Sequence, residues 1–101
     1  MRLVARKTIL EAVNKHSVLK TPLAFWRKQI EKADWQTPQD VSKTFSKARS
    51  IGSNRIVFNI MKNDFRIIVH CSYSTKTVFI KFIGTHAAYN KIDPETIQLQ
   101  T

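Results

Sequence analysis

At 101 residues the chain is long enough for one domain with its own core, and 43% hydrophobic residues with two Gly and three Pro exclude a disordered or low-complexity polymer. Seventeen Lys and Arg against seven Asp and Glu give a formal charge of +10, which points to polyanionic partners: nucleic acid, an anionic membrane or an acidic protein. The single cysteine, Cys71, excludes an internal disulfide and fits a reducing cytoplasm, and no apolar run approaches the length of a membrane span. The opening Met1 to Lys7 has no long apolar core after its charges, so it is not expected to act as a secretory signal. No internal repeat or interdomain linker interrupts the chain, which is read as one domain over 1–101.

In chain order, Arg2 to Val4 suits an edge strand. Thr8-Ile9-Leu10-Glu11 fits a capping box, in which Thr8 and Glu11 satisfy each other's backbone donors, and Ile9, Leu10 and Val13 give the following helix an apolar stripe. The pattern breaks around His16 to Leu19. Thr21-Pro22 reads as a cap followed by proline at the first helical position, opening a second helix with Leu23, Trp26, Ile30 and Ala33 on its apolar side. Thr37-Pro38-Gln39-Asp40 repeats that start signal for a short third helix carrying Val41 and Phe45. Lys43, Lys47 and Arg49 fall in or beside the loop that leads to Arg55, gathering positive charge at one rim.

From Asn54 to Tyr89 the periodicity changes. Asn54 to Ile60, Phe65 to Cys71 and Val78 to Ile83 are β-rich runs separated by short polar connections, the signature of an antiparallel meander. Side chains alternate faces along a strand. One face therefore collects Ile56, Phe58, Ile60, Phe65, Ile67, Val69, Val78, Ile80 and Phe82, and must be covered. The other collects Arg55, Val57, Asn59, Arg66, Ile68, His70, Phe79, Lys81 and Ile83. Helices with one apolar stripe each are the cover the first face needs, giving a two-layer α+β sandwich with helices on one face of an antiparallel sheet. The second face, cations and an aromatic on a hydrophobic floor, is left open. The segment Ile92 to Ile97 reads as a loop or a single turn.

These runs, with Ala33-Asp34-Trp35 upstream, Lys91-Ile92-Asp93 downstream and above all Gly84-Thr85-His86 followed by Tyr89, resemble the HigB-type toxin family over most of the chain from Trp26 to Ile97. HigB-like proteins belong to the wider RelE/ParE toxin superfamily, whose fold is a helical pair packed on an antiparallel sheet. The resemblance implies an mRNA endonuclease acting on ribosome-bound message in the cytoplasm. It also implies a HigA-type helix-turn-helix antitoxin, with operator DNA reached only through that partner and no membrane involved. The chain departs from the family's pattern at Ala88 and Asn90, where acidic residues are common.

Such a nuclease uses the 2′-OH of the RNA as its nucleophile and leaves a 2′,3′-cyclic phosphate. The protein must then move two protons and neutralise the charge growing on phosphorus. No cofactor or metal is expected, because the acidic residues are scattered and His16, His70 and His86 lack ligands at metal spacing. His86, at the end of the last strand, is a candidate acid or base, since imidazole titrates near neutrality; the alternative is a capping histidine in a turn. Lys81 faces the open side and suits a phosphate, unless a neighbouring loop binds it. Arg66 and Arg55 share that side with forks that match phosphate geometry, although Asp64 or Asp93 could pair with one of them. Tyr89 offers a hydroxyl or a stacking ring, or else closes the sheet edge. The catalytic candidates are thus His86, Lys81, Arg66 and Tyr89.

Arg55, Asn54, Asn59, His70, Phe79, Lys47 and Arg49 are candidate RNA contacts, with Phe79 able to stack a base. His70 and Phe79 could equally be ordinary packed residues, and Asn54 also suits a turn. Trp26 and Trp35 read as core, and Cys71 as buried. Two other classes remain open at this point. A ParE-like toxin of the same fold would bind DNA gyrase without cleaving RNA, and would not need Arg55, Arg66, Lys81 and His86 on one face. A noncatalytic RNA-binding module would place its cations on loops and helix ends rather than within the sheet.

Overall fold

The computed structural model describes residues 1–4 and 6–98. A short strand, β1 (Arg2–Val4), is followed by α1 (Arg6–Lys15), a single 3-10 turn at Ser17–Leu19, α2 (Lys20–Lys32) and α3 (Pro38–Thr44). Four strands come next, β2 (Arg49–Gly52), β3 (Arg55–Ile60), β4 (Phe65–Ser72) and β5 (Thr77–Thr85), and then one helical turn, α4 (His86–Tyr89). They form an open mixed sheet in the order β1-β5-β4-β3-β2, antiparallel except that β1 lies parallel to β5. The expected α+β architecture is present, and Arg2 to Val4 is one of its two edge strands, β2 being the other.

Helix starts differ from the local signals. α1 already runs from Arg6, so Thr8 and Glu11 sit inside it and form no capping box. α2 begins at Lys20, directly after the 3-10 turn, with Leu19 at its cap and no side-chain cap bond. Pro22 is tolerated because first-turn N–H groups have no partner inside a helix in any case. The third start signal does mark a helix: the Asp40 carboxylate accepts from the N–H groups of Gln36 (2.8 Å) and Thr37 (3.2 Å). These bonds, the Gln36 one foremost, hold the Asp40 pKa below its ordinary 3.8.

Leu23, Trp26 and Ile30 bury the inner stripe of α2 against the sheet. Trp26 meets Phe58 edge-to-face at 5.5 Å, Phe58 meets Phe45 at 5.0 Å, and Phe45 meets Trp35 at 6.1 Å. Ile56, Phe58, Ile67, Val69, Val78 and Ile80 complete this layer, and Cys71 is buried in it. Each such side chain contributes about 1.5–3 kcal/mol by leaving water.

Three corrections concern the sheet. First, Arg49–Gly52 is a strand and not part of a loop, because Gly52, Ser53 and Asn54 (φ +93°, +51° and +59°) close a tight left-handed turn into β3. Second, Ile68 stands opposite Phe82 and Val69 opposite Ile80, which leaves Lys81 as an extra, bulged residue on β5. Beyond it the parity reverses, so Ile83 packs on the core and Phe82 turns to the opposite face. Third, that opposite face is not open throughout. Val57 and Ile68 lie on it, outside the main core, yet are 2% and 0% exposed. The segment after α4 crosses the face. It makes one turn closed by Thr96 and Ile97 donating to the Asp93 carbonyl, and Arg55 ties it down.

Candidate RNA interface

The opposite face has two ends with different chemistry. On β4, Arg66 and His70 are four residues apart, about 13 Å at the usual rise per residue. At the His70 end, Arg55 is 4% exposed, and its Nη1 donates to the carbonyls of Pro94 (3.1 Å) and Ile97 (2.7 Å). His70 lies beside Phe79, ring centroids 6.3 Å apart, and Lys81 Nζ stands 5.9 Å from the Phe79 ring while donating to Gln98 Oε1 at 3.1 Å. Asn54 occupies the left-handed turn, where its carbonyl accepts from the Cys71 N–H at 2.8 Å. Arg55 is therefore bound to the tail, and the alternative weighed for Lys81, a bond to a neighbouring segment, is the one its ammonium makes.

The other end gathers cations with no such seal. Arg49 pairs in register with Val57, and Asn59 with Arg66, so Arg49, Asn59 and Arg66 project from adjacent strands on one side. With Lys47 they line a concavity of about 90 Å³. Tyr89 of α4 joins its two arginines: Arg49 Nη2 donates to the Tyr89 hydroxyl at 3.1 Å, and the Arg66 guanidinium carbon lies 5.6 Å from the Tyr89 ring centroid. Because the hydroxyl accepts from Arg49, its own proton is free to be donated elsewhere. Arg66 Nη1 also donates to the Asn63 carbonyl at 3.1 Å, which steadies the fork. Among the described residues, neither Lys47, Arg49 nor Arg66 forms an ion pair; the carboxylates that do, Glu31, Asp40 and Asp34, lie with Arg27, Lys43 and Lys76.

α4 owes its position to local sequence. The Thr85 hydroxyl caps it by accepting from the Ala88 N–H at 3.1 Å, and the His86 N–H donates to the Asp64 carbonyl at 2.9 Å, pinning the turn to the β3–β4 connection. Gly84 stands opposite Arg66, and a Cβ there would come within 2.6 Å of the Phe82 ring, so glycine lets Phe82 lie along the strand toward Tyr89, 6.4 Å between centroids. His86 is exposed, and one helical turn sets it on the same side as Tyr89. Of the sequence candidates, Arg66, Tyr89, Asn59, Lys47 and Arg49 converge at this end, and His86 is exposed on the same helical turn as Tyr89. Lys81, His70, Phe79, Arg55 and Asn54 belong to the other.

Among the described residues no three of His, Cys, Asp and Glu come together as a metal site requires, and no helix is long and apolar enough to cross a membrane. A search of curated proteins gives no match. A family model described as HigB_toxin, RelE-like toxic component of a toxin-antitoxin system, matches residues 19–92, a span that contains α2, α3, the whole antiparallel meander and α4. The chain belongs to this HigB_toxin family: it is a RelE-like toxin whose cognate partner is an antitoxin.

Proposed function

We propose that this toxin is an endoribonuclease that cuts messenger RNA on translating ribosomes. The observation that carries the reading is the convergence of Lys47, Arg49 and Arg66 around Tyr89 at an exposed sheet end, without carboxylates to neutralise them among the described residues. Three unpaired cations beside a hydroxyl suit a phosphodiester, whose charge rises as a fifth oxygen bonds to phosphorus.

The 2′-OH of the RNA attacks the adjacent phosphorus, the bond to the 5′-oxygen of the next nucleotide breaks, and a 2′,3′-cyclic phosphate is left. Arg66 and Arg49 hold the nonbridging oxygens. His86 and Tyr89, on one side of α4, are the groups able to take the proton from the 2′-OH and return one to the leaving oxygen. Asn59 orients the nucleotide. Lys81 is given no part in this step, because its ammonium is bonded to Gln98 Oε1 beside the Phe79 ring. A HigA-type helix-turn-helix antitoxin restrains the activity.

Primer extension on a defined message, with and without translating ribosomes, tests the reading for wild type, Arg66→Ala and His86→Ala, with folding of each verified. New ends that need ribosomes and vanish in folded Arg66→Ala are expected. Absence of cleavage in both settings, with gyrase supercoiling blocked instead, overturns it in favour of a protein-binding toxin.

A further inference from the structure

A second concavity adjoins the cationic end and shares Lys47 and Asn59 with it. It is a groove of about 430 Å³ between α2, the α3–β2 connection and the end of β3. Its walls are aromatic and apolar, with Phe25, Trp26, Phe45 and Met61 prominent, and its rim toward the cations is the exposed pair Lys47 and Asn59. Phe25 is 64% exposed, which for a phenyl ring on a helix costs apolar hydration unless something covers it. Met61 is 38% exposed and sits in a left-handed turn (φ +53°) that ends β3.

We infer that this groove is a nucleobase subsite, which seats an unstacked base of the RNA next to the phosphate held by Arg49 and Arg66. The inference rests on the endoribonuclease reading above and adds where the substrate's bases go. Continuity is the first argument: a strand whose phosphate lies among Lys47, Arg49 and Arg66 has its neighbouring sugar at Lys47 and Asn59, and the base beyond them enters the groove. Charge is the second, because the boundary that the groove shares with the cationic site carries a lysine, Lys47, which favours a polyanion over an uncharged apolar segment. Chemistry of the lining is the third. Aromatic rings stack any base, and Asn59, whose side-chain amide makes no hydrogen bond among the described residues, has a donor and an acceptor for a base edge. Trp26, 1% exposed, contributes to the lining and has a buried indole N–H without an acceptor, so this wall is not purely apolar in its demands.

The test uses a short fluorescent 2′-O-methyl RNA, which cannot supply the nucleophile, with a single abasic residue walked along it. In wild type, one abasic position is expected to weaken binding about 5- to 150-fold, the size of one base–aromatic stack. Phe25→Ala, which leaves the core intact because the ring is exposed, is expected to weaken the unmodified RNA by a similar factor and to erase the penalty at that position. Its salt dependence should match wild type, whereas Arg66→Ala should lower the salt slope by about one. Phe25→Ala that binds unmodified RNA like wild type overturns the subsite. So does an abasic penalty that persists in Phe25→Ala. If that variant instead loses affinity only for the antitoxin, the groove holds a protein segment and the nucleobase assignment falls while the phosphate site stands. Absence of salt-dependent RNA binding in wild type removes the endoribonuclease reading and the subsite together.

Discussion

Arg55 and Arg66 are projected onto the same side of the sheet by adjacent strands, yet they live in different chemistries. Arg55 is buried and spends its donors on two backbone carbonyls of the segment that crosses the face. Arg66 is half-buried, touches one carbonyl and leaves the remainder of its fork beside Tyr89. Strand parity cannot separate them, because both satisfy it. What separates them is how much of the fork main-chain acceptors take up: a buried guanidinium that binds two carbonyls of a covering segment is part of the scaffold, and a half-buried one that makes a single such bond and lies against an aromatic ring keeps donors for an anion. The same contrast divides Lys81, bonded to Gln98, from Lys47 at the rim.

The largest effect should come from the available arginine. Arg66→Ala is expected to reduce cleavage about 100- to 1,000-fold, the usual loss when one group stabilising a developing oxyanion is removed, while the urea midpoint hardly moves. An active Arg66→Ala would break the distinction. Arg55→Ala should show the reverse, a loss of about 2–4 kcal/mol in chemical denaturation as two carbonyls and a cavity are left under the tail, with cleavage per folded molecule retained. A stable Arg55→Ala would mean that the segment stays in place without the guanidinium.

Tyr89→Phe sharpens the comparison within the cationic end. It keeps the ring near Arg66 and removes the hydroxyl that accepts from Arg49. Cleavage is expected to fall about 10- to 100-fold if the hydroxyl moves a proton, with stability changed by about 1 kcal/mol or less. Unchanged cleavage would reduce Tyr89 to a support for the arginines.

The smallest effect belongs to a region outside both ends and serves as their reference. Asp34, bonded to Lys76 Nζ at 2.8 Å, and Asp40, bonded to the Gln36 and Thr37 N–H groups, both have pKa values held below 3.8. Their ionised forms favour the fold, so their contribution is present above 3.8 and is lost as pH falls through the depressed values. Asp40→Asn should flatten the acid limb of a stability-against-pH curve slightly and leave RNA affinity unchanged.

Much of this architecture was legible from periodicity. The alternation in Arg55 to Ile60 and Phe65 to Cys71 put the right residues on each face, because one wrong step would bury Arg66 and expose Phe58. Legibility failed where nonlocal or backbone effects decide. The bulge at Lys81 leaves no compositional mark, so Phe82 and Ile83 were read on exchanged faces. β2 has no clear strand signal in the sequence because Ser50 and Gly52 carry little strand propensity, and its partner β3 makes it a strand. The fixing of the segment after α4 rests on carbonyls that accept from Arg55, and carbonyls are the same in every residue. The groove beside Asn59 joins Phe25 to Phe45 and Met61, positions whose proximity only the packed helices create.

The dependence of the cationic end on α4 also bears on the order in which the protein is synthesised. Lys47, Arg49, Asn59 and Arg66 emerge well before Tyr89, and the hairpins that align them are local in sequence and can close early. The ring and hydroxyl that organise the two arginines come from the last helical turn, and the strand that docks on β5 comes from the very first residues of the described chain. A nascent chain halted within β5 therefore holds most of the site's charge without its assembly. Incomplete translation products should be basic, partly folded and inert.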